Sequence, residues 1–329
     1  YAYNQLYYKD QWDNYSKNFK MSVSETVNVK LTDWANVRTV FSYDDTRVRD
    51  HIYYSKDHFN AKSDVGSVSE MFTNYSTIVS STTANLNHTF GEKHNVTFLA
   101  GFEAEKNKTD FMRSSGTNLP VSSLQVVQTA GKTEANAYYW GNSIVSILSR
   151  AEYNYDNKYY FSASYRRDGS SKLGPDSRWG NFWSVAGSWR INDEEFMKDI
   201  DWISNLRLRA SYGVNGTLPS SNNGWRSLAS YSYQYGGEPG GALANAADAN
   251  LSWETSYTSN FALEFGFLDD RIKGSVEYFN RDSKDLLQDV PISYITGFSS
   301  TLKNVGEINN KGIEFELSGD IIANKDFRW

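Results

Sequence analysis

The chain has 329 residues, a formal net charge of −6, 16% aromatic residues and no cysteine. The absence of cysteine excludes disulfides, zinc–thiolate sites and thiol nucleophiles, and mild acidity without a basic stripe argues against a nucleic-acid partner. No apolar run is long enough for a membrane-spanning helix, whereas a mean hydropathy of −0.61 is compatible with a transmembrane β-barrel, because barrel strands alternate apolar and polar residues.

Alternation of apolar and polar residues predicts a series of antiparallel hairpins along the chain. In one of them, Phe261, Leu263 and Phe265 share a strand face, and a tight turn follows at Asp269 and Asp270. In chain order, the predicted strand pairs are 19–31 with 37–43, 84–90 with 96–102, 145–153 with 159–165, 183–189 with 206–212, 261–267 with 272–278, and 313–317 with a strand starting at Phe327 and Trp329. The pattern therefore indicates an all-β, antiparallel fold.

The predicted strands are long and their connections are unequal. Several runs alternate for about ten residues, the length that a tilted strand needs to cross a membrane. Short turns alternate with long segments at 44–81, 107–142, 168–180, 214–256 and 283–310. Outer-membrane barrels have short periplasmic turns and long extracellular loops, so both features favour a transmembrane barrel. Alternation by itself also fits a soluble antiparallel sandwich, in which the apolar faces point inward.

The long segments are rich in glycine, serine, asparagine and aromatic residues, and loops of this length indicate a functional surface. The candidate contacts for a substrate or a lid are Trp140, Trp225, Tyr231, Tyr233 and Tyr235. Aromatic residues in long loops also commonly pack the loop itself, which is the alternative interpretation. The chain has four scattered histidines and no metal or nucleotide motif, so no catalytic residue, metal ligand or cofactor is predicted, and the chain is not expected to be an enzyme.

The segment 164–180, SYRRDGSSKLGPDSRWG, closely resembles the signature of SusC/RagA-like TonB-dependent outer-membrane proteins. Further blocks follow in the family's order: EEFM at 194–197, LRLRASYGVNG at 206–216, NLSWE at 250–254, FGFLDDRI at 265–272 and NVGEINNKGIE at 304–314. Together they cover about residues 140–320. One small departure is Leu173, where the family usually has phenylalanine.

The resemblance implies part of a barrel of about 22 strands that is plugged by an N-terminal domain. It also implies import of oligosaccharides or peptides across the outer membrane of a Gram-negative, Bacteroidetes-like cell, with a SusD-like lipoprotein as lid and TonB as the energy source. We expect residues 1–329 to form one partial barrel domain, with the signal peptide, plug and closing strands lying elsewhere. A passive porin or adhesin barrel and a soluble glycan-binding β-protein are the alternatives.

The resemblance and the alternation together orient the strands. If the turns at 156–157 and 269–270 are periplasmic, the segment 166–179 is extracellular. Three aromatic residues then face lipid, where tyrosine and tryptophan anchor barrels at the membrane interfaces: Tyr165, Trp183 and Trp189. Four arginines face the lumen: Arg166, Arg190, Arg207 and Arg209. These arginines are candidates for contacting the plug or the substrate path, with ordinary solvation of a polar lumen as the alternative.

Overall fold

The computed structural model describes residues 9–320, except for the side chains of residues 232 and 239. Within this range the chain forms fifteen β-strands and four single-turn 3-10 helices. The strands are β1 Trp12–Lys30, β2 Ala35–Tyr54, β3 Ser67–Phe90, β4 His94–Thr117, β5 Lys132–Tyr155, β6 Tyr159–Ser170, β7 Trp179–Arg190, β8 Ile203–Thr217, β9 Ala229–Tyr235, β10 Glu238–Leu243, β11 Glu254–Phe267, β12 Ile272–Lys284, β13 Leu287–Pro291, β14 Ser300–Asn304 and β15 Glu307–Gly319. The helices are Val127–Thr129, Ile191–Asp193, Glu195–Met197 and Tyr294–Thr296.

Eleven strands form one sheet in the order β1-β2-β3-β4-β5-β6-β7-β8-β11-β12-β15. Two separate hairpins, β9–β10 and β13–β14, are inserted in the connections that follow β8 and β12. The registers of β5 through β15 are antiparallel throughout. The predicted all-β, antiparallel fold is therefore confirmed.

The chain divides into two compact units. The first comprises residues up to 26, 40–80 and 105–143, and its buried apolar cluster joins Tyr53, Val68 and Leu119. The Tyr53 hydroxyl donates a hydrogen bond to the Ser122 carbonyl at 3.2 Å, which fastens the 118–131 connection to β2. The second unit comprises residues 27–39, 81–104 and 144 onward.

The predicted tight turns are present. Asp156 and Asn157 both have positive φ, at 53° and 55°, and join β5 to β6. Two consecutive left-handed residues are typical of the turn that matches the twist of a hairpin, and aspartate and asparagine tolerate this conformation. Asp269 and Asp270, at 57° and 60°, join β11 to β12 in the same backbone region. The strand predicted at Phe327 and Trp329 lies outside the described residues.

The predicted strand lengths were wrong in the first half of the chain. Strands β3, β4 and β5 each have 24 residues rather than about ten. The connections that follow β2, β4 and β6 are correspondingly shorter than predicted, at 55–66, 118–131 and 171–178. Backbone pairing continues where both strand faces are largely polar, and there the period-two apolar signal is absent. The predicted loop 107–142 is therefore mostly strand, and Trp140 lies in β5.

Large apolar residues form exposed rows across the second unit. Phe261 lies between Ala210 and Tyr278 in the register, and Leu263 lies between Leu208 and Val276. The exposed members of this face include Phe161, Phe261, Leu263, Ile313, Phe315 and Leu317. A soluble sandwich would bury such a face, so these rows indicate an apolar environment outside the sheet.

Candidate functional site

Four buried apolar residues form a cluster among the long connections of the second unit, here called the loop core. They are Leu173, Phe182, Leu251 and Trp253, and Leu218, Trp225, Leu287 and Leu302 pack against them. Leu173 and Leu251 are fully buried. Phe182 and Trp253 meet edge to face with ring centroids 5.1 Å apart, a favourable aromatic geometry. The cluster joins the connections 171–178, 218–253 and 285–306.

Polar contacts fasten the same segments around the loop core. The Trp253 indole nitrogen donates to the Arg178 carbonyl at 3.1 Å, and the Lys172 ammonium donates to the Pro219 carbonyl at 3.0 Å. Glycine at 216 is required by this packing, because a Cβ there would overlap the Phe182 ring. The motif blocks at 164–180, 206–216 and 250–254 therefore converge on the loop core, and Asn304 connects the block at 304–314 to Ser252 beside it. Sequence reasoning did not foresee this convergence.

The candidate aromatic contacts fall into three different settings. Trp225 packs against the loop core, half-buried, and its indole nitrogen has no hydrogen-bond partner among the described residues. Trp140 stacks on Tyr138 with centroids 5.4 Å apart on β5. The structure thus separates these two tryptophans from the three candidate tyrosines.

Tyr231, Tyr233 and Tyr235 lie along the exposed strand β9, and their three rings are here together called the tyrosine face; a register shift opposite Gly241 interrupts the strict alternation between Tyr231 and Tyr233. Their exposed fractions are 75%, 57% and 89%. Tyr233 pairs with Gly240, and a Cβ on Gly241 would lie 2.9 Å from the Tyr231 ring. Glycines on β10 therefore leave the rings of Tyr231 and Tyr233 uncovered by side chains of that strand.

The inner face of the second unit carries the candidate arginines, and each of them has an acidic partner. Arg166 forms ion pairs with Glu103 at 3.1 Å and Asp168 at 2.7 Å, and it also donates to the Ser146 hydroxyl at 2.8 Å. Arg190 pairs with Asp193 at 3.1 Å. Both side chains are thus engaged within the wall of the sheet.

Arg207 and Arg209 both lie close to the carboxylate of Glu264. Arg209 lies 2.7 Å from Glu264 and 3.8 Å from Glu277, whereas Arg207 lies 3.9 Å from Glu264. Arg207 also donates to the Ser188 hydroxyl at 2.6 Å. Arg207, Arg209, Glu277 and Ser188 line an open cavity of about 710 Å³ on the inner face, together with Arg150, Glu152, Tyr160 and Asn260. The arrangement offers hydrogen-bonding groups of both charge signs to an occupant.

The three candidate lipid-interface residues lie on the apolar face. Tyr165 pairs with Trp183 in the register, and the Trp183 ring lies 5.6 Å from Tyr212. Trp189 stacks on Tyr159 at the end of β7, with centroids 6.3 Å apart. All three side chains are accessible from the outer side of the sheet or from the adjacent turn.

Trp179 is a further exposed aromatic residue on the same face of β7, and sequence reasoning did not single it out. It lies ten positions from Trp189 on β7, about 33 Å along the strand, or about 25 Å in height once the strand is tilted. That height equals the apolar band of outer-membrane barrels. Its ring lies over Gly169 and beneath the Arg167 guanidinium, at 5.1 Å. The sequence did contain a signal for it, because Trp179 lies an even number of positions before Trp189 and so falls on the same face of the strand.

One carboxylate closes the turn between β7 and β8. Glu194 accepts hydrogen bonds from the Tyr159 hydroxyl and from the Trp189 indole nitrogen, and Lys158 lies 3.6 Å away. The Tyr159 hydrogen bond, then the Trp189 bond, and further the Lys158 charge hold the pKa of Glu194 below its usual value. The Glu194 carboxylate therefore ties the turn to Tyr159 and Trp189.

Within residues 9–320, no group of three or more histidine, aspartate or glutamate side chains is arranged to hold a metal ion. No helix in the described part of the chain is long and apolar enough to cross a membrane.

Comparison with known proteins gives consistent matches. The family model described as TonB dependent receptor-like, beta-barrel matches residues 1–329. TonB-dependent receptor SusC of Bacteroides thetaiotaomicron is 34% identical over 239 residues, covering 70% of this chain and 24% of that protein. TonB-dependent receptor P39 of Formosa agariphila is 32% identical over 250 residues, covering 74% of this chain and 24% of that protein. The chain spans about a quarter of the length of these relatives.

Solved structures agree with the sequence matches. The RagAB peptide transporter superposes with a TM-score of 0.91 and 26% identity, covering 98% of this chain and 36% of that chain. The siderophore receptor PiuA from Acinetobacter baumannii gives a TM-score of 0.57 at 14% identity, covering 95% of this chain and 46% of that chain, and this second match concerns the fold alone.

Proposed function

Since the chain belongs to the TonB-dependent receptor family as a SusC/RagA-like stretch of its outer-membrane β-barrel, we propose that the whole protein imports an elongated polar nutrient. The nutrient is an oligosaccharide or a peptide, TonB supplies the energy, and a SusD-like lipoprotein covers the extracellular side. The observation that carries the proposal is the superposition of nearly the whole chain on the RagAB peptide transporter.

The inner face supports passage of a polar oligomer. Its cavity of about 710 Å³ is lined by arginine, glutamate, asparagine and serine side chains. Ligand sites need a few well-placed polar groups, and mixed charges suit hydroxyl and peptide groups better than a single ionic ligand. We infer that Arg207 and Arg209 contact the substrate path or a plug, because both line this cavity. Arg166 and Arg190 hold the wall in shape through Asp168 and Asp193.

The tyrosine face supports contact with the substrate or with the lipoprotein lid. Exposed tyrosine and tryptophan side chains are enriched at binding surfaces, since their rings give a large contact area with few rotatable bonds. Trp225 supports the segment that carries this face rather than joining it, because it packs on the loop core. Trp140 is accessible beside Tyr138 and offers a second aromatic contact.

The aromatic residues of the outer face act as interface anchors in this proposal. Trp189 lies at the end of β7 next to the turn, and Tyr165 and Trp183 lie nearer the long connections. Tryptophan and tyrosine concentrate at the two membrane–water interfaces of barrels because their rings have an apolar body and a polar tip.

The proposal is tested by deleting the whole gene and measuring growth on single polysaccharides and oligopeptides as sole carbon source. We expect loss of growth on one nutrient class, restored by the full-length gene. Dissipating the proton-motive force in the complemented strain should abolish uptake of that nutrient. Unchanged growth on every nutrient would contradict import, and uptake that persists without the proton-motive force would instead indicate a passive porin.

A further inference from the structure

The tyrosine hairpin, β9–β10, is closed tightly at its base. The Ala244 amide donates to the Leu228 carbonyl at 2.7 Å. The Asn245 side chain accepts from the Leu228 amide at 2.8 Å and donates to the Arg226 carbonyl at 3.0 Å. Three hydrogen bonds thus join the two ends of the hairpin, and its closed base leads directly into the segment 246–253.

The segment 246–253 is held in turn by the β13–β14 hairpin, chiefly through one side chain. The Asn304 amide oxygen accepts from the Ser252 backbone N–H at 2.7 Å, and its nitrogen donates to the Ser252 carbonyl at 3.0 Å. The same nitrogen donates to the Asp285 carbonyl at 2.9 Å. A primary amide with two donors and one acceptor oxygen is the only neutral side-chain group that satisfies all three backbone groups.

Burial makes these bonds decisive for the position of the segment. Leu251, next to Ser252, is fully buried in the loop core, and Thr301 donates to the Ala246 carbonyl at 3.2 Å while 7% exposed. Both Asn304 bonds to Ser252 are part-buried, and a part-buried backbone group that loses its partner costs free energy. The segment would therefore shift when Asn304 is shortened.

We propose that Asn304 is a positioning residue that fixes the location of the tyrosine face. It acts through Ser252 and the loop core, and it touches no tyrosine itself. This inference rests on the proposed function in one respect, namely that the tyrosine face binds a substrate or a lid. Asn304, at the end of β14 and far along the chain from β9, thereby determines the position of the tyrosine face.

The test measures the position of the hairpin without requiring transport. Spin labels are attached in the full-length protein, in detergent, at Gln234→Cys and Asp201→Cys, after any cysteine elsewhere in the protein is replaced by serine. Both positions are exposed, one on β9 opposite the tyrosines and one in the turn between β7 and β8. Pulsed electron paramagnetic resonance then gives the distribution of the distance between the labels.

We expect a narrow distribution in the parent and at least a doubling of its width in Asn304→Ala. Asn304→Asp keeps the acceptor for the Ser252 amide and loses both donors, so its width should fall in between. Lys303→Ala is the matched control, since Lys303 is the exposed neighbour on β14, and its width should equal the parent's.

Parent-like widths in Asn304→Ala, or equal broadening in Lys303→Ala, would overturn the inference. If Asn304→Ala does not assemble as a heat-modifiable barrel, Asn304→Asp decides alone, and an unchanged width there overturns it. The distance between the labels is measured without transport. A protein that does not import the nutrient can therefore still show the expected widths, and the two failures can be told apart.

Discussion

The loop core and the tyrosine hairpin belong to the same long connections and are both rich in aromatic residues, yet they differ completely in exposure. Trp253 is 8% exposed, whereas Tyr235 is 89% exposed. The loop core is built from segments that carry the family motifs, and the tyrosine hairpin lies between those segments. The difference teaches that recognisable motifs here mark the scaffold, whereas the accessible surface lies in the sequence between them.

Leu251→Ala should have the largest effect on the difference in stability between the loop core and the tyrosine hairpin. Removing a fully buried leucine should cost about 2–5 kcal/mol in the free energy of local unfolding, because the side-chain transfer energy and a cavity term add. Hydrogen exchange of the amides in 244–253 should accelerate accordingly, while the barrel strands keep their protection. Leu243→Ala, 61% exposed on β10, is the control and should change exchange by less than about 0.5 kcal/mol.

Gly216→Ala should disturb the loop core next most. The added methyl group overlaps the Phe182 ring, and overpacking of this kind costs about 1–3 kcal/mol. The nearest atom to a Cβ on Gly187, the Tyr160 carbonyl oxygen, is 3.8 Å away, so Gly187→Ala is a matched control on the neighbouring strand. Equal proteolytic sensitivity of the two variants in the 218–253 segment would contradict the assigned packing.

Acid distinguishes the turn between β7 and β8 from the buried centre of the loop core, because Leu173, Leu251 and Phe182 are held there by apolar contacts that do not titrate. Glu194 in the β7–β8 turn has a lowered pKa, so its stabilisation is complete above the usual carboxyl range and is lost as pH falls through the lowered value. Amide exchange in 191–202, corrected for its intrinsic pH dependence, should rise below about pH 4. Glu194→Gln should remove that dependence, and an acid-induced rise in 191–202 that persists in this variant would contradict the assignment to Glu194.

The smallest effect on stability is expected for the tyrosine face. Replacing Tyr231, Tyr233 and Tyr235 together with serine should leave thermal unfolding and loop protection unchanged within about 0.5 kcal/mol, since exposed side chains contribute little to folding. Import or lid binding should fall in the same variant. Unchanged import and lid binding would remove the tyrosine face from the proposed function.

Sequence reasoning located the elements whose residues carry a local pattern. The turn at Asp156 and Asn157 and the alternating faces of β11 and β12 follow from neighbouring residues alone. The loop core does not, because Leu173 and Leu251 lie 78 positions apart (251 − 173) and meet only after the strands have paired. Likewise, Trp225 and Tyr235 look alike in sequence, and only the packing of Trp225 against the cluster separates a supporting residue from an accessible one.

Strands β3, β4 and β5 are much longer than a membrane crossing requires. At about 3.3 Å per residue, 24 residues extend about 80 Å, whereas a membrane crossing takes only about ten residues. A crossing therefore takes up less than half of each strand, and the strand conformation continues over more residues than the crossing itself needs.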